Sequence, residues 1–443
     1  MKEIIIELIE NKKLNILKKR LEDMNCQDIS ALFEELTNEQ MVIAYRLLSK
    51  DKAVDTFIYM DPGQQEVLIN AITDSELRVI LDDLFMDDTV DLIEEMPSNV
   101  VKRILKNVDN TNRKIINELL NYPEDSAGSI MTTEFTDLKD FMTVEEAFNR
   151  IKKIGVNKET IYTCYVLDES RKIIGIVSAK ELLLANRDNL IKDIMDTNLI
   201  TVNTLDDQEE VSNKIRKYDV VAMPVVDSEN RLVGIITVDD IIDVIHEEAK
   251  EDFEKMAAMA PSKEDYFKTS VFKHTQNRIV WLTILMFSAI IIGSLIMQYE
   301  HAFEAVPILV AFIPMLMDTG GNCGAQTSTL VIRGLSVGEI KSADIKKLLW
   351  KELRVSALVG ALFALLNGIR IMIQYNDLSL AIVIGLTLIG TIIIAKILGC
   401  ILPIIAKKLK IDPAVMSAPL ITTIADAMAI LLYFNIAVLL LNL

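Results

Sequence analysis

The sequence predicts a multidomain chain: an all-α, superhelical N-terminal domain, an α/β region built from two copies of one unit, a connecting helix, and a C-terminal domain of five transmembrane helices. Three observations carry this expectation. The 443 residues divide sharply by charge, with 55 acidic and 34 basic residues before position 276 and 9 acidic and 12 basic after it. Five long apolar runs all fall in the second part. A segment starting at Ser129 is repeated from Asp193.

The first domain is expected over 1–126. It reads as short helices with almost no glycine, opened by start signals such as LTNEQ at 36–40, MDPGQ at 60–64, FMDDTVD at 85–91 and MPSNV at 96–100. Thr37 and Gln40 have the spacing of a capping box, in which each satisfies a backbone N–H near the other, and Pro62 and Pro97 suit a first helical turn. The N-terminus interleaves charges with apolar residues at helical spacing and has no signal-peptide core, so the expectation is a cytosolic start.

Residues 127–190 and 191–248 are the two copies. SIMTTEFTDLKDFMTVEEAFNRIKK from Ser129 matches DIMDTNLITVNTLDDQEEVSNKIRK from Asp193, and YVLDESRKIIGIVSAKELL from Tyr165 matches VVDSENRLVGIITVDDII from Val225. Each copy reads strand, helix, strand, turn, strand, helix, with Gly175 and Gly234 expected in corresponding turns. This duplication resembles a tandem pair of CBS domains. The resemblance implies a module that senses small ligands and couples them to a neighbouring domain.

A charged connecting helix is expected within 249–276, followed by the membrane domain at 277–443. Its spans are read as Ile279 to Gln298, Ala305 to Leu330, Val355 to Tyr375, Leu378 to Ala406 and Met416 to Leu441, each long enough to cross about 30 Å of hydrocarbon. The connection from Arg333 to Arg354 and the one at Lys407, Lys408 and Lys410 are basic, while Glu300, Glu304 and Asp377 mark the opposite side. Positive loops lie inside, which places the soluble domains in the cytosol and the C-terminus outside a cytoplasmic membrane.

Two features of these spans point to ion handling. Asp426 lies near the middle of the last one, and a carboxylate at that depth costs roughly 2.5–3.5 kcal/mol even on lenient insertion scales, so it implies an aqueous or ion-lined path. In the second span an apolar half runs into DTGGNCGAQTSTL, and such polar sequence is tolerated at membrane depth only where it is buried or lines a cavity. Asp318, Gly320, Gly321, Asn322 and Gln326 are therefore candidate pore wall, together with Thr422 and Thr423 on the Asp426 span. The structural alternative is close helix packing through Gly320, Gly321 and Gly324. Lys396 and Arg370, the nearest bases to Asp426, read as helix-end or interface residues.

With PMLMDTGGNCGAQTSTLVIRGL at 314–335, DPAVMSAPLITTIADAMAILLYF at 412–434, the repeated pair and the acidic helical domain in place, the whole chain resembles the MgtE family of bacterial Mg²⁺ channels and transporters. The resemblance implies a homodimer in membrane lipid with its ion path on the two-fold axis, and Asp426 as the pore carboxylate. It implies a connecting helix that acts as a plug, and regulatory Mg²⁺ shared among the soluble domains. By position it assigns that role to Asp207, Glu209, Asp219, Asp240, Asp243, Glu248, Glu251 and Asp252, with Asp87 and Asp91 from the helical domain. Ala418 and Ala429 depart from the family, standing where glycine is common.

The chemistry agrees. Mg²⁺ sheds water reluctantly and takes oxygen ligands, so a path that passes it hydrated needs few, well-placed acceptors. Crowded carboxylates repel, and divalent cations relieve that repulsion. Thr237 and Asp240 form a T-x-x-D arrangement that in many CBS domains holds a ribose, which admits ATP as a second ligand; the first copy has Ser178 and Glu181 there. The acidic soluble part argues against nucleic acid. Four scattered cysteines form no CxxC pair, and no P-loop or HExxH appears, so the chain does not read as an enzyme. The function expected is Mg²⁺ influx shut by cytosolic Mg²⁺. The alternatives are a CBS-based nucleotide or ion receptor on a membrane anchor, and a transporter of broader divalent selectivity that takes Co²⁺, Mn²⁺ or Ni²⁺.

Overall fold

The computed structural model describes residues 2–262, 266–267, 269–416 and 418–441. Residues 263–265 and 268, inside the stretch expected as connecting helix, and Ser417, at the head of the last span, lie outside the described residues. The chain divides into two compact units, Met1–Val244 and Ile245–Leu443.

The first unit opens with ten short helices: α1 (Lys2–Glu10), α2 (Leu14–Glu22), α3 (Cys26–Glu34), α4 (Asn38–Tyr45), α5 (Lys50–Ile58), α6 (Pro62–Ala71), α7 (Asp74–Asp83), α8 (Met86–Glu95), α9 (Ser98–Asn107) and α10 (Asn110–Leu119). From α2 on, each buries residues on one side, as α7 buries Leu77, Ile80 and Leu81, while α1 buries Ile5. A single short helix cannot bury an apolar face alone, and these pack in series, α3 on α5, α5 on α7, α7 on α9, with α4 on α6 and α8 on α10 alongside. The Thr37–Gln40 capping box is formed and Pro62 opens α6. Pro97 is the N-cap of α9 and so precedes the first turn.

The two copies follow. The first holds β1 (Thr136–Lys139), α11 (Val144–Ile154), β2 (Thr163–Leu167), β3 (Ile173–Ser178) and α12 (Ala179–Leu184). After α13 (Ile191–Ile194), the second holds β4 (Val202–Asn203), α14 (Gln208–Tyr218), β5 (Ala222–Val226), β6 (Leu232–Thr237) and α15 (Val238–Met256). In each sheet the first strand pairs parallel with the second and the second antiparallel with the third. The turns match as well: Asp168 Oδ1 accepts from the N–H of Ser170 and Lys172, and Asp227 Oδ1 from Glu229 and Arg231. These are Asx turns, and Arg171 and Asn230 take the positive φ they require.

Gly175 and Gly234 are not turn residues. They lie inside β3 and β6, opposite Val166 and Val225. A Cβ on Gly175 would fall 2.5 Å from Met195 Sδ, and one on Gly234 would fall 2.7 Å from both Met131 Sδ and the carbonyl oxygen of Thr132. Met131 lies in the leading segment of the first copy and Met195 in that of the second, so each leading segment lies against the other copy's sheet. The bridges Thr132–Ile235 and Ile176–Asp196 confirm the exchange. Phe135, Tyr165, Leu167, Ala222, Leu232 and Ile235 form the core the copies share. Gly234→Ala is expected to destabilise the full chain by roughly 1–3 kcal/mol, as overpacking does, because backbone obstructs the new methyl. Gly175→Ala, which meets only a flexible methionine, should cost less; thermal unfolding of both variants checks the order.

The helix expected within 249–276 is the later part of α15, which begins at Val238 and ends at Met256. The second unit then contains α16 (Val271–Met297), the short α17 (Glu300–Ala305), α18 (Ile313–Ser336), α19 (Ile345–Tyr375), α20 (Leu378–Lys408) and α21 (Ala418–Leu441). Among the described residues, five helices are long and apolar enough to cross a membrane. The third begins ten residues before the expected Val355, which brings Glu352 inside it. α20 is the centre of the bundle, packed on α18, α19 and α21. One end is closed by Leu309, Phe312, Leu316, Ile384, Tyr433 and Phe434, with Tyr433 Oη donating to the Leu309 carbonyl at 2.9 Å.

Candidate ion path and acidic clusters

α18 and α21 hold the expected membrane residues, and α18 is two-faced. Gly320, Gly321 and Gly324 are buried against neighbouring helices. A Cβ on Gly320 would meet Thr391 Cγ2 at 2.7 Å, one on Gly321 would meet Thr422 Cγ2 at 3.0 Å, and one on Gly324 would meet Ile421 Cγ2 at 2.8 Å. Close approach is what these glycines provide. Asp318, Asn322, Gln326 and Thr329 are exposed on the chain. At about 100° per residue they fall within about 80° of one another, a polar stripe along a helix at membrane depth.

Asp426 sits half-buried on α21 beside Gly321: its Oδ1 lies 3.6 Å from where a Cβ on that glycine would stand. The same oxygen is enclosed and has no hydrogen-bond partner. Asp318 is the other charge its carboxylate feels. Thr422 and Thr423 both donate to the Pro419 carbonyl at 2.9 Å, which leaves each hydroxyl oxygen's lone pairs to accept. Ala429 is fully buried, 3.9 Å from a Cβ built on Gly320.

Lys396 is not a helix-end residue. It lies in the middle of α20, 7% exposed, with Nζ 3.1 Å from Glu352 Oε2 and 3.2 Å from Thr327 Oγ1. Arg370 lies over the Phe312 ring at 5.5 Å. Asp426 is thus left without a basic partner among the described residues.

In the first unit, Asp87 and Asp91 on α8 meet Asp240 at the start of α15. Asp88, Glu134, Glu159 and Asp239 join them, and none of these four was singled out from sequence. Burial, reinforced by Asp88, Asp240 and Glu159, pushes the Asp87 carboxyl well above the usual range. Asp88 is pushed up to about 6 by burial and then by Asp240, Asp239 and Glu134. Glu159 reaches about 7 by burial and the repulsion of Asp240, Asp239, Asp88 and Glu134. Asp91 is open to solvent on one side, yet the protein crowded round its carboxyl, with Asp88, Glu94, Glu95 and Asp240, pushes it to about 7. Asp240 is raised by burial and held back by Thr237, whose hydroxyl donates to its Oδ2. That contact has a counterpart in the first copy, where Ser178 and Glu181 make a capping box. The T-x-x-D pair is therefore a helix-start device as well as a candidate ribose site.

The other regulatory candidates separate. Asp207 caps the start of α14, accepting from Glu209 N at 2.9 Å, and Asp219 ends the same helix in the left-handed conformation. Local backbone geometry accounts for both. Asp243 is exposed on α15. In the second unit, Glu248, Glu251 and Asp252 lie with Asp412, from the connection between α20 and α21. Burial, then Asp412, pushes Asp252 up to about 6. Lys255 is ion-paired with Glu251 and, at 2.6 Å, with Asp412. Among the described residues no group of three or more His, Cys, Asp or Glu side chains stands ready-made to hold a metal ion. What the carboxylates offer is hard oxygen donors under mutual repulsion, which suits a divalent cation that keeps part of its water.

The comparisons follow the same division. A family model described as the MgtE intracellular N domain matches residues 24–125, CBS domain models match 127–188 and 191–247, and a model described as MgtE, divalent cation transporter, matches 313–436. The magnesium transporter MgtE of Bacillus subtilis is 35% identical over 98% of this chain and 96% of its own length, and that of Thermus thermophilus 33% identical over 98% and 97%. A crystal structure of the cytosolic domain of the Mg²⁺ channel MgtE in complex with ATP covers 55% of this chain and all of that one, with 33% identity and a TM-score of 0.53. Likeness of this order from the helical domain through the last span shows the family, and the chain belongs to the MgtE magnesium transporters.

Proposed function

We propose that the protein is a homodimeric Mg²⁺ channel that admits Mg²⁺ across the cytoplasmic membrane and is shut by cytosolic Mg²⁺. The observation that carries the reading is the exposed stripe Asp318–Asn322–Gln326–Thr329 beside an unpartnered Asp426. Facing lipid, such a stripe would cost several kcal/mol, so it needs water or a second copy against it. A two-fold axis there supplies both and doubles the single carboxylate. Few oxygens, well spaced, let a hydrated Mg²⁺ pass without losing its inner water.

The closing signal is assigned to the carboxylates. At low Mg²⁺ those of α8, the first copy and α15 repel one another; Mg²⁺ binding removes the repulsion and favours a compact, closed form. Asp252, Glu251, Glu248 and Asp412 are the second such group. Asp207, Glu209, Asp219 and Asp243 are proposed only as outer, weaker contributors, given the capping roles of two of them. ATP is proposed at Thr237 and Asp240, supported by the T-x-x-D pattern and by the ATP complex of the similar cytosolic domain. The matched intracellular domain and the basic connections support soluble domains in the cytosol and a C-terminus outside.

The test is Mg²⁺ flux into liposomes holding the purified full chain, with low or high Mg²⁺ on the side of the soluble domains. Flux suppressed by high Mg²⁺ on that side is expected; ligand binding without flux under any condition would leave a receptor. Competition by Co²⁺, Mn²⁺ and Ni²⁺ in the same assay measures selectivity.

A further inference from the structure

We propose that Glu352, Lys396 and Thr327 form a clamp that sets the rotation of α18 about its own axis, making Glu352 and Lys396 positioning residues for the ion path. The inference rests on the reading of α18 as path wall. Three helices meet here. Lys396 Nζ on α20 reaches Glu352 Oε2 on α19 at 3.1 Å and Thr327 Oγ1 on α18 at 3.2 Å, and Thr327 Oγ1 lies 3.4 Å from the same carboxylate oxygen. The side chains of the pair are 9% and 15% exposed. Burying two charges is a poor way to gain stability, since apolar residues of similar volume often do as well or better. What a buried pair supplies is register, because each charge tolerates few other arrangements.

Between its apolar ends, where Leu316 on one side and Val331, Ile332 and Leu335 on the other are buried, the contact face of α18 is built from Gly320, Gly321 and Gly324, which present no knobs of their own. Side-chain anchors from neighbouring elements stand at two levels of α18, one near its C-terminal end, where Lys407 Nζ on α20 donates to the Leu335 carbonyl at 3.1 Å, and one around Thr327. Beside Thr327, Ser328 Oγ donates to the Met416 carbonyl at 3.0 Å, just before α21. At the same level a Cβ on Gly399 of α20 would stand 2.6 Å from the Gly324 carbonyl oxygen, so the two backbones touch. Thr327 follows Asp318 by nine residues and so points about 180° away from it. The clamp grips the back of the helix, and by doing so it aims Asp318, Asn322 and Gln326.

Native Cys323 reports on this rotation, being 7% exposed and turned inward with Ile392, Ala395 and Ala425. The experiment measures maleimide labelling of the Cys323 peptide by mass spectrometry, with Mg²⁺ flux, in liposomes of the full chain. Thr327→Val, nearly isosteric, and the paired change Glu352→Gln with Lys396→Gln are expected to label Cys323 faster and conduct less, each by about tenfold, the effect of losing a hydrogen bond to a charged group. Thr327→Ser should restore both. If Thr327→Val fails to fold, the paired variant is read in the same way. Protected Cys323 in the folded variants overturns the clamp, and so does faster labelling at unchanged flux. A wild-type chain that conducts nothing sinks the channel reading instead, while the labelling still reads the clamp.

Discussion

Asp426→Asn is expected to reduce Mg²⁺ flux by more than about a hundredfold while leaving the protein folded and assembled. The amide keeps the volume and shape, exchanging one acceptor oxygen for an NH2 donor, so the packing against Gly321 is kept. What goes is charge. Two unit charges about 4 Å apart interact by roughly 4 kcal/mol at an effective dielectric near 20, and Mg²⁺ carries two charges, so even a fraction of that term exceeds the 2.7 kcal/mol of a hundredfold change. Because no base among the described residues neutralises Asp426, the substitution strands no partner there. Near-normal flux would remove Asp426 from the path. Wild-type and variant liposomes run in parallel, with size-exclusion profiles to establish assembly, make the comparison direct.

The second large effect concerns closure and is linked to pH. In the acidic cluster of the first unit, Asp88, Asp91 and Glu159 hold protons at pH values where the unfolded chain has lost them. The compact state therefore binds more protons than the unfolded one between about pH 4 and 7, and its stability falls as pH rises through that window. Without Mg²⁺, the unfolding temperature of the full chain should drop from pH 5 to pH 8; with millimolar Mg²⁺ most of that slope should vanish, because the cation replaces the protons. Asp88→Asn together with Glu159→Gln should flatten the slope without Mg²⁺. It should also keep flux near its open level, on the order of tenfold above wild type, when Mg²⁺ is high on the soluble side; one lost charge-assisted contact is worth about that factor. An unchanged slope and unchanged suppression would take these residues out of the sensor.

The candidate membrane residues could be picked out in sequence because a charge inside an apolar run stands out one residue at a time. Asp426 and the polar half of α18 needed no knowledge of neighbours. The acidic cluster was half legible: Asp87, Asp91 and Asp240 were named, but Glu134 and Glu159 reach it only after the first copy folds against α8 and α15. Nothing in the local pattern of either residue marks it. Asp207 and Asp219 have cap roles that the sequence did not separate from cation binding, since an acidic residue beside a helix looks the same in either role. Glu352 was hidden by the basic residues around it, which made the start of α19 read as a loop. Once that helix is extended to Ile345, the carboxylate falls inside and Lys396 gains its partner. Gly175 and Gly234 were mistaken for turn residues because glycine in a turn and glycine under a methionine look alike in one sequence.

The exchanged leading segments have a consequence for how the molecule is made. Thr132, in the leading segment of the first copy, bridges to Ile235 in the second, and Asp196, in the leading segment of the second, bridges to Ile176 in the first. During synthesis the first sheet must wait, one edge open, until the chain has run past Asp196, and the segment around Met131 waits longer still for β6. The two copies each have a sheet bordered by the other copy's leading segment. They should melt in one transition, and cutting the chain between them should yield two insoluble halves rather than two small domains. A ligand that steadies either copy then steadies both, so a signal received in one half of the pair is delivered by the whole.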